Sequence, residues 1–73
     1  MNWKLYVVTV YQLSKVKSNR DFLKLPPESY ICLSNPNIIP RVDEGFVFVD
    51  GALYNVKSVT WDYNSQAIIV VLG

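Results

Sequence analysis

The sequence predicts an all-β protein in which five short antiparallel strands close into a small barrel. Residues 40–72 hold the densest apolar runs of the chain together with one strong hairpin signal. Residues 2–11 are rich in β-branched and aromatic residues and contain no Gly or Pro. The three-residue spacing of Val56 and Val59 indicates a β-bulge, which bends a strand as barrel closure requires. With 73 residues, we expect one domain over residues 1–73.

The first predicted strand, residues 2–11, is apolar on both of its faces. Alternation places one set of side chains on one face, namely Trp3, Leu5, Val7, Thr9 and Tyr11. The opposite face holds Lys4, Tyr6, Val8 and Val10. Since neither face is clearly polar, we expect both to be at least partly covered.

Residues 12–27 lose this alternation and form the long loop between strands 1 and 2. Ser18 followed by Asp21 is typical of a helix start, because a hydroxyl accepts a free backbone N–H there and a carboxylate meets the positive end of the helix dipole. A short helical turn would then pack its apolar side chains on the sheet and end before Pro26; those side chains are Phe22, Leu23 and Leu25. The alternative interpretation continues the strand to Lys17 and turns at Ser18. We prefer the helical turn.

Three strands and two tight connections follow a short strand at 29–34 and a connector at 35–40. Residues 45–49 and 52–61 read as a hairpin around Asp50 and Gly51. A two-residue loop there pairs Phe48 with Leu53 and places Val47, Val49, Tyr54 and Val56 on one face. The bulge returns Val59 and Trp61 to the core side. A turn at 62–65 sets Val59 opposite Ile68, and the closing strand, apolar on both faces, must be central or covered.

Residues 40–72 resemble small SH3-like β-barrels, which are common among short proteins of bacteriophages and mobile elements. The resemblance rests on the pattern Pro-x-Val-x-Glu, an apolar strand, Asp-Gly and Tyr-x-Val-x-x-Val; the residues are Pro40, Val42, Glu44, Val47, Asp50, Gly51, Tyr54, Val56 and Val59. Those proteins often have Gly directly before the acidic residue, whereas this chain has Asp43 there. The entry turn is therefore expected to differ in shape. The resemblance implies an SH3-like barrel and supplies a setting rather than an activity.

The residue types present argue against catalysis, metals and cofactors. The chain has no His, the commonest general base, and one Cys, which excludes an internal disulfide and the usual zinc ligand set. Its three Gly form no phosphate-binding loop. The carboxylates fall in or beside predicted turns, where they cap backbone groups. We therefore predict a protein that is not an enzyme, with no catalytic residues, no metal and no cofactor.

Charge is distributed unevenly and points to a candidate ligand surface. Residues 1–25 carry five basic residues and one acidic residue, whereas residues 26–73 carry two basic and five acidic ones. Aromatic rings beside cations are typical of single-strand binding. The residues that we select for binding a phosphorylated small molecule or nucleic acid are Trp3, Tyr6, Tyr11, Lys15, Lys17, Arg20, Arg41 and Lys57. A pI near 7.8 argues against a general nucleic-acid-binding domain.

Surplus apolar surface favours association with a protein. The predicted register leaves Phe46, Phe48 and Leu53 on the face opposite the core, and such a patch usually marks an interface. The alternative is that another segment of the same chain covers this patch. The preferred hypothesis is a non-catalytic binding protein, the accessory protein of a phage or mobile element. Such a protein blocks a host defence protein or sequesters a nucleotide signal, acting as a homo-oligomer. The alternatives are a single-stranded nucleic-acid-binding barrel and a structural subunit of a larger particle.

The location predicted from the sequence is the cytosol, that of the host cell if the chain is phage-encoded. A lone thiol fits a reducing compartment. The N-terminal apolar run is interrupted by Thr9 and Gln12 and lacks the features of a signal peptide. We expect no contact with a membrane.

Overall fold

The fold is built on one curled, five-stranded mixed sheet. The computed structural model describes residues 2–17 and 21–73. The strands are β1 (Lys4–Thr9), β2 (Ile31–Ser34), β3 (Gly45–Val47), β4 (Leu53–Asp62) and β5 (Ala67–Leu72). A one-turn helix, α1 (Val10–Leu13), and two 3-10 turns, Asp21–Lys24 and Pro27–Ser29, complete the regular elements. The all-β class and the barrel-like curvature that the sequence predicts are confirmed.

The sheet order is β2-β1-β5-β4-β3, so β5 is the central strand. This explains why β5 has no polar face, as predicted. The expectation of a wholly antiparallel sheet is wrong, because β1 and β5 run parallel, with Lys4 opposite Ala67 and Thr9 opposite Leu72. The connector, residues 35–44, carries the chain from β2 at one edge to β3 at the other. The antiparallel run β3–β4–β5 then brings β5 back beside β1 in the same direction.

The inner face of the sheet holds the main hydrophobic core. Its buried members come from β1, β4, β5 and the position directly after β3, namely Leu5, Val7, Phe48, Val56, Ile68, Val70 and Leu72. Partly buried apolar side chains pack around them, including Ile39 from the connector. The connector therefore contributes cover to this face.

In the described structure, side chains of the long loop cover the outer face over β1 and β5. Val8 is fully buried there, and the ring of Phe22 lies 5.3 Å from that of Tyr6 and 5.5 Å from that of Tyr30. Phe22 is 2% exposed, whereas Leu23 beside it is 52% exposed. The prediction that both faces of the first strand are partly covered is confirmed.

The first strand ends at Thr9, two residues earlier than predicted. The Thr9 hydroxyl accepts the N–H of Gln12 at 3.2 Å and so caps helix α1. The alternative strand extending to Lys17 is therefore wrong. The preferred helical turn is not confirmed either, since the described part of this segment forms 3-10 turns. Ser18, the predicted cap, lies outside the described residues.

The bulge predicted near Lys57 is confirmed, since the register of β4 with β5 shifts between Val56 and Ser58. Val59, however, lies opposite Val70 and not opposite Ile68. The turn occupies residues 63–66, one position later than predicted, and ends on Gln66 with a φ of 54°. A register shift of two residues keeps each side chain on its face. Val59 and Trp61 therefore lie on the core side, as predicted.

The turn that enters β3 is closed by two hydrogen bonds between Arg41 and Glu44. The N–H of Glu44 donates to the carbonyl of Arg41 at 3.1 Å, and the Glu44 carboxylate accepts the N–H of Arg41 at 2.7 Å. Asp43 has a φ of 74°, in the left-handed region that favours glycine. Asp43 thus adopts a backbone conformation that is easier for glycine than for a residue with a Cβ.

Candidate binding surfaces

The loop of the β3–β4 hairpin has three residues rather than the predicted two. The N–H of Phe48 donates to the carbonyl of Ala52 at 3.0 Å, and the N–H of Gly51 donates to the carbonyl of Phe48 at 2.9 Å. Gly51 has a φ of 82°. The loop is therefore a tight turn followed by a glycine bulge. An Asp-Gly sequence is compatible with this type of hairpin loop as well as with the two-residue type.

Asp50 holds the hairpin loop closed with both carboxylate oxygens. Oδ1 accepts the N–H of Ala52 at 2.9 Å, and Oδ2 accepts the Tyr54 hydroxyl at 2.7 Å. The hydrogen bond from Ala52, and after it the one from Tyr54, lowers the pKa of the Asp50 carboxyl. The same bond to Asp50 raises the pKa of the Tyr54 hydroxyl. Asp50 is therefore occupied as a turn anchor.

The longer loop changes which apolar side chains face the solvent. Phe46 lies opposite Tyr54 and Val47 opposite Leu53, one position away from the predicted register. A slip of one residue exchanges the two faces of a strand. The predicted patch is thereby divided, because Phe46 and Phe48 pack in the core and only Leu53 remains outside.

The exposed side of the hairpin carries a different set of apolar side chains. Val47 is 65% exposed, Val49 66% and Leu53 72%. We call these three residues the hairpin patch. Exposed acidic residues adjoin the hairpin in sequence, with Asp43 and Glu44 before β3 and Asp50 in the loop. The Asp50 carboxylate bonds to Tyr54 on the core side, so the hairpin patch is an apolar surface with acidic residues near it rather than around it.

A second surface is made of aromatic rings. The Trp3 ring lies 5.4 Å from Trp61 and 5.1 Å from Tyr63, edge to face in both cases. Trp61 and Tyr63 stack at 6.4 Å with an angle of 27° between the rings. Trp61 is 48% exposed and Tyr63 is 75% exposed. We call these three residues the aromatic cluster.

Within the part of the chain that the structure describes, Trp61 borders three grooves, one of which, of about 480 Å³, lies on the outer face. Of the remaining two, one of about 270 Å³ is lined by Trp3, Asn35 and Ile39, among others. The other, of about 430 Å³, is lined by Ile39, Arg41 and Val59, among others. A flat ring placed on Trp61 could therefore have a guanidinium beside it, an arrangement suited to stacking and cation–π contact.

Of the predicted ligand residues, Trp3 and Arg41 are brought together by the structure through Trp61. Sequence reasoning placed Trp61 on the core side but did not include it or Tyr63 in the site. Trp3 directly precedes β1 and Trp61 lies on β4, and only the sheet order, in which these two strands flank β5, shows that such side chains meet. The one local feature of the sequence that pointed to Tyr63 was the predicted turn that follows Trp61.

Tyr6, another of the predicted ligand residues, is packed among other rings and does not lie on a ligand surface. It packs against Phe22 and Tyr30 and is only partly exposed. Burial, followed by the neighbouring Cys32 thiol, raises the pKa of the Tyr6 hydroxyl. The ring is therefore part of the small core on the outer face and is not presented for stacking.

The remaining basic and aromatic candidates are dispersed. The Lys15 ammonium lies 4.5 Å from the centre of the exposed Tyr11 ring, which is a cation–π contact within the segment after α1. Lys17 is exposed nearby, and Arg20 lies outside the described residues. Lys57 is elsewhere, since a side chain added at Gly73 would meet its Cγ at 2.9 Å. These residues do not form one site with Trp3 and Arg41 in the described structure.

A groove of about 480 Å³ on the outer face was missed by sequence reasoning. It lies between Leu13 and the polar side chains of β4, among them Ser58, Thr60 and Asp62. The Asp62 carboxylate accepts the N–H groups of Asn64 and Ser65 at 3.1 and 3.3 Å and thereby holds the turn. The groove is therefore polar along β4 and apolar along β5, where Ile69 and Val71 line it.

Within the described residues, no cluster of three or more His, Cys, Asp or Glu side chains could hold a metal ion. None of the helices described is long and apolar enough to span a bilayer. The features that the described structure offers for recognition are the hairpin patch, the aromatic cluster and the grooves.

Comparisons of the chain with protein-family models, curated proteins and solved structures found no match. The resemblance to SH3-like barrels therefore stays a prediction.

Proposed function

We propose that this chain is a non-catalytic binding protein that recognises a protein partner through the hairpin patch. The observation that carries the proposal is the exposure of Val47 and Leu53, which pair across the two strands of the hairpin, and of Val49 in the adjoining loop; the three side chains are 65–72% exposed. Apolar side chains grouped in this way are typical of protein interfaces.

The acidic residues near the hairpin patch define the chemistry of the partner. Asp43, Glu44 and Asp50 are exposed close to the apolar side chains in the sequence, so the complementary surface is an apolar depression with Lys or Arg near its edge. Opposite charges at a rim mainly increase the association rate, whereas the apolar centre supplies affinity. In biological terms, we propose a phage accessory protein with an SH3-like barrel as its scaffold. It would block a host protein by occupying such a depression.

Partner capture with two matched variants tests the proposal. Leu53→Asp places a charge in the hairpin patch, and Ile38→Asp makes the same change at a side chain that is 83% exposed in the connector. A protein captured by the immobilised wild-type chain is purified, and its Kd is measured for all three chains. We expect Leu53→Asp to weaken binding by at least about tenfold, as for an interface anchor, and Ile38→Asp to leave it unchanged. Equal Kd values for all three chains would refute the proposal.

The aromatic cluster favours a second candidate function, namely binding of a nucleotide or a single nucleic-acid strand. The supporting observation is the half-exposed Trp61 ring with Arg41 in the adjoining groove. Stacking of one base contributes about 1–3 kcal/mol in single-strand binders. Labelled oligothymidylate is titrated over a salt series with wild type, Trp61→Ala and, as control, Tyr11→Ala.

We expect Trp61→Ala to weaken oligothymidylate binding roughly tenfold or more and Tyr11→Ala to have little effect. A thermal-shift series with linear and cyclic nucleotides distinguishes a free nucleotide from a strand. If neither ligand binds even at low salt, this candidate is wrong.

A further inference from the structure

Strand β2 is an edge strand without the usual protection. In the described residues β2 pairs with β1 alone, and Cys32, Leu33 and Ser34 are all exposed. The sequence from Ser29 to Asn35 contains no charged residue and no Pro. Natural edge strands usually carry Lys, Pro, a bulge or an inward charge that prevents pairing with another chain.

The hydrogen bonds of β2 show which backbone groups are free. The N–H of Asn35 donates to the carbonyl of Trp3 at 2.7 Å. Hydrogen-bonded pairs alternate with non-bonded pairs along an antiparallel ladder. The backbone N–H and carbonyl groups of Leu33 and Ile31 therefore also point toward β1. The N–H and carbonyl groups of Cys32 therefore point away from the sheet, at the centre of the free edge.

The other edge of the sheet is protected by charge. Asp43 and Glu44 precede β3 and Asp50 follows it, so antiparallel pairing of two β3 strands would bring carboxylates together. Like charges facing each other across strands are destabilising. Of the two edges, β2 is the one that can meet its own copy without repulsion.

We propose that two copies of this chain pair antiparallel along β2, about a two-fold axis at Cys32, and form one continuous sheet. In this register Ile31 of one copy lies directly opposite Leu33 of the other. The two-fold axis generates two such Ile31–Leu33 pairs, and both lie on the inner face. Leu33, which is 50% exposed, thereby gains an apolar neighbour, and Ile31 already packs against the core. Closed two-fold pairing uses the same strand of both copies and leaves no further β2 edge free.

The single cysteine of the chain gives a direct test. In this register the two Cys32 Cα atoms are about 5.5 Å apart, within the range that a disulfide spans. Diamide, which accepts two electrons and two protons from a pair of thiols, is added to the wild-type chain below and above the concentration at which light scattering shows dimer. We expect a disulfide-linked dimer, of twice the 8.4 kDa chain mass, to form at the concentrations at which the non-covalent dimer is present.

Variants separate edge pairing from other contacts. Cys32→Pro removes an N–H that β1 does not use, a change that edge strands tolerate, and Leu33→Asp adds a charge at the pairing site. We expect both to be monomers by light scattering at submillimolar concentration, whereas Cys32→Ser and Leu53→Asp remain dimers. Circular dichroism melting verifies that each variant is folded.

The wild-type chain alone can overturn the proposal, even if an edge variant fails to fold. A wild-type chain that keeps the monomer mass throughout this concentration range overturns it. A dimer that is lost in Leu53→Asp but kept in Leu33→Asp also overturns it, because the contact would then lie at the hairpin patch.

Discussion

Among the described residues, three that are not glycine carry positive φ values, and each lies in a connection between strands: Asn35 at 50°, Asp43 at 74° and Gln66 at 54°. Left-handed backbone is unfavourable for residues with a Cβ, although Asn and Asp tolerate it better than others. The turns of this chain are therefore enforced by their surroundings, in part by side-chain caps such as Glu44 on Arg41.

Replacing Asp43 with glycine should stabilise the fold. We expect Asp43→Gly to raise the free energy of unfolding by about 0.5–1 kcal/mol, because glycine adopts this φ without steric cost. Asp43→Ala is the control, since it also removes the charge but keeps the Cβ. Urea denaturation measures both, and an Asp43→Gly chain less stable than Asp43→Ala contradicts the interpretation.

The hydrogen bond between Asp50 and Tyr54 predicts two pH effects. The folded pKa of Asp50 is lowered, so its contribution to stability is present above the ordinary Asp pKa of about 3.9 and is lost as the pH falls through the folded value. The folded pKa of Tyr54 is raised, so its contribution is present below about pH 10 and is lost as the pH rises through the folded value.

Carboxyl NMR titration of the wild-type chain and Tyr54→Phe measures the acidic limb of this effect. We expect the pKa of Asp50 to rise in Tyr54→Phe but to stay below its ordinary value, because the N–H of Ala52 still donates to Oδ1. Tyr63→Phe serves as the control and should not alter it. An unchanged Asp50 pKa in Tyr54→Phe would show that the hydroxyl bond does not form in solution.

At the scale of elements, loop length determines which face of a strand is buried. The Asp-Gly signal correctly predicted a hairpin, but the same dipeptide fits both a two-residue and a three-residue loop. The side chains did not distinguish the two, because Val47, Val49, Phe46 and Phe48 are all apolar. The hairpin was therefore predictable, whereas the identity of the exposed patch was not.

Gly51 should be the residue that the three-residue loop depends on. Its φ of 82° disfavours any Cβ, although an added Cβ would meet no atom within 4 Å. We expect Gly51→Ala to lower the free energy of unfolding by about 1–2 kcal/mol through backbone strain alone.

Gly45→Ala is the matched control for Gly51→Ala on the same hairpin. Its added Cβ would meet the Leu53 Cδ1 at 3.4 Å, an ordinary van der Waals contact. Thermal unfolding should show a change within about 0.5 kcal/mol. If the two substitutions cost the same, the loop does not require a left-handed residue.

At the scale of the molecule, one ring from the long loop secures the outer face. Phe22 is 2% exposed between Tyr6 and Tyr30, and the sequence correctly predicted that it packs against the sheet. A domain of this size has about 5–10 kcal/mol of stability in total. We expect Phe22→Ala to cost about 3–5 kcal/mol and Leu23→Ala, at an exposed neighbour, less than about 0.5 kcal/mol.

Chemical denaturation of both loop variants tests this prediction. Similar stabilities for Phe22→Ala and Leu23→Ala would mean that the loop does not pack on the sheet in solution. A cooperative transition that persists in Phe22→Ala with a lower midpoint would show that the inner core alone supports the fold.

The global arrangement was less predictable than the local elements. Alternation and turn signals indicated five strands, the bulge and an apolar strand that had to be central or covered. No local signal indicates a parallel neighbour, since the pairing of β1 with β5 depends on the path of the connector across the sheet. The aromatic cluster depends on the same topology and was therefore found in part only, through Trp3.

The parallel pairing of β1 with β5 also has a consequence for folding kinetics. Strand β1 can join the sheet only after β5 has formed, because β5 is the central strand and pairs with β1. Bringing distant segments together incurs the loss of loop entropy before contacts form, which makes such topologies slow to fold. The β3–β4–β5 meander can form from local contacts, so we expect it to be the early structure, with β1 and β2 adding last and exposing their apolar faces until they do.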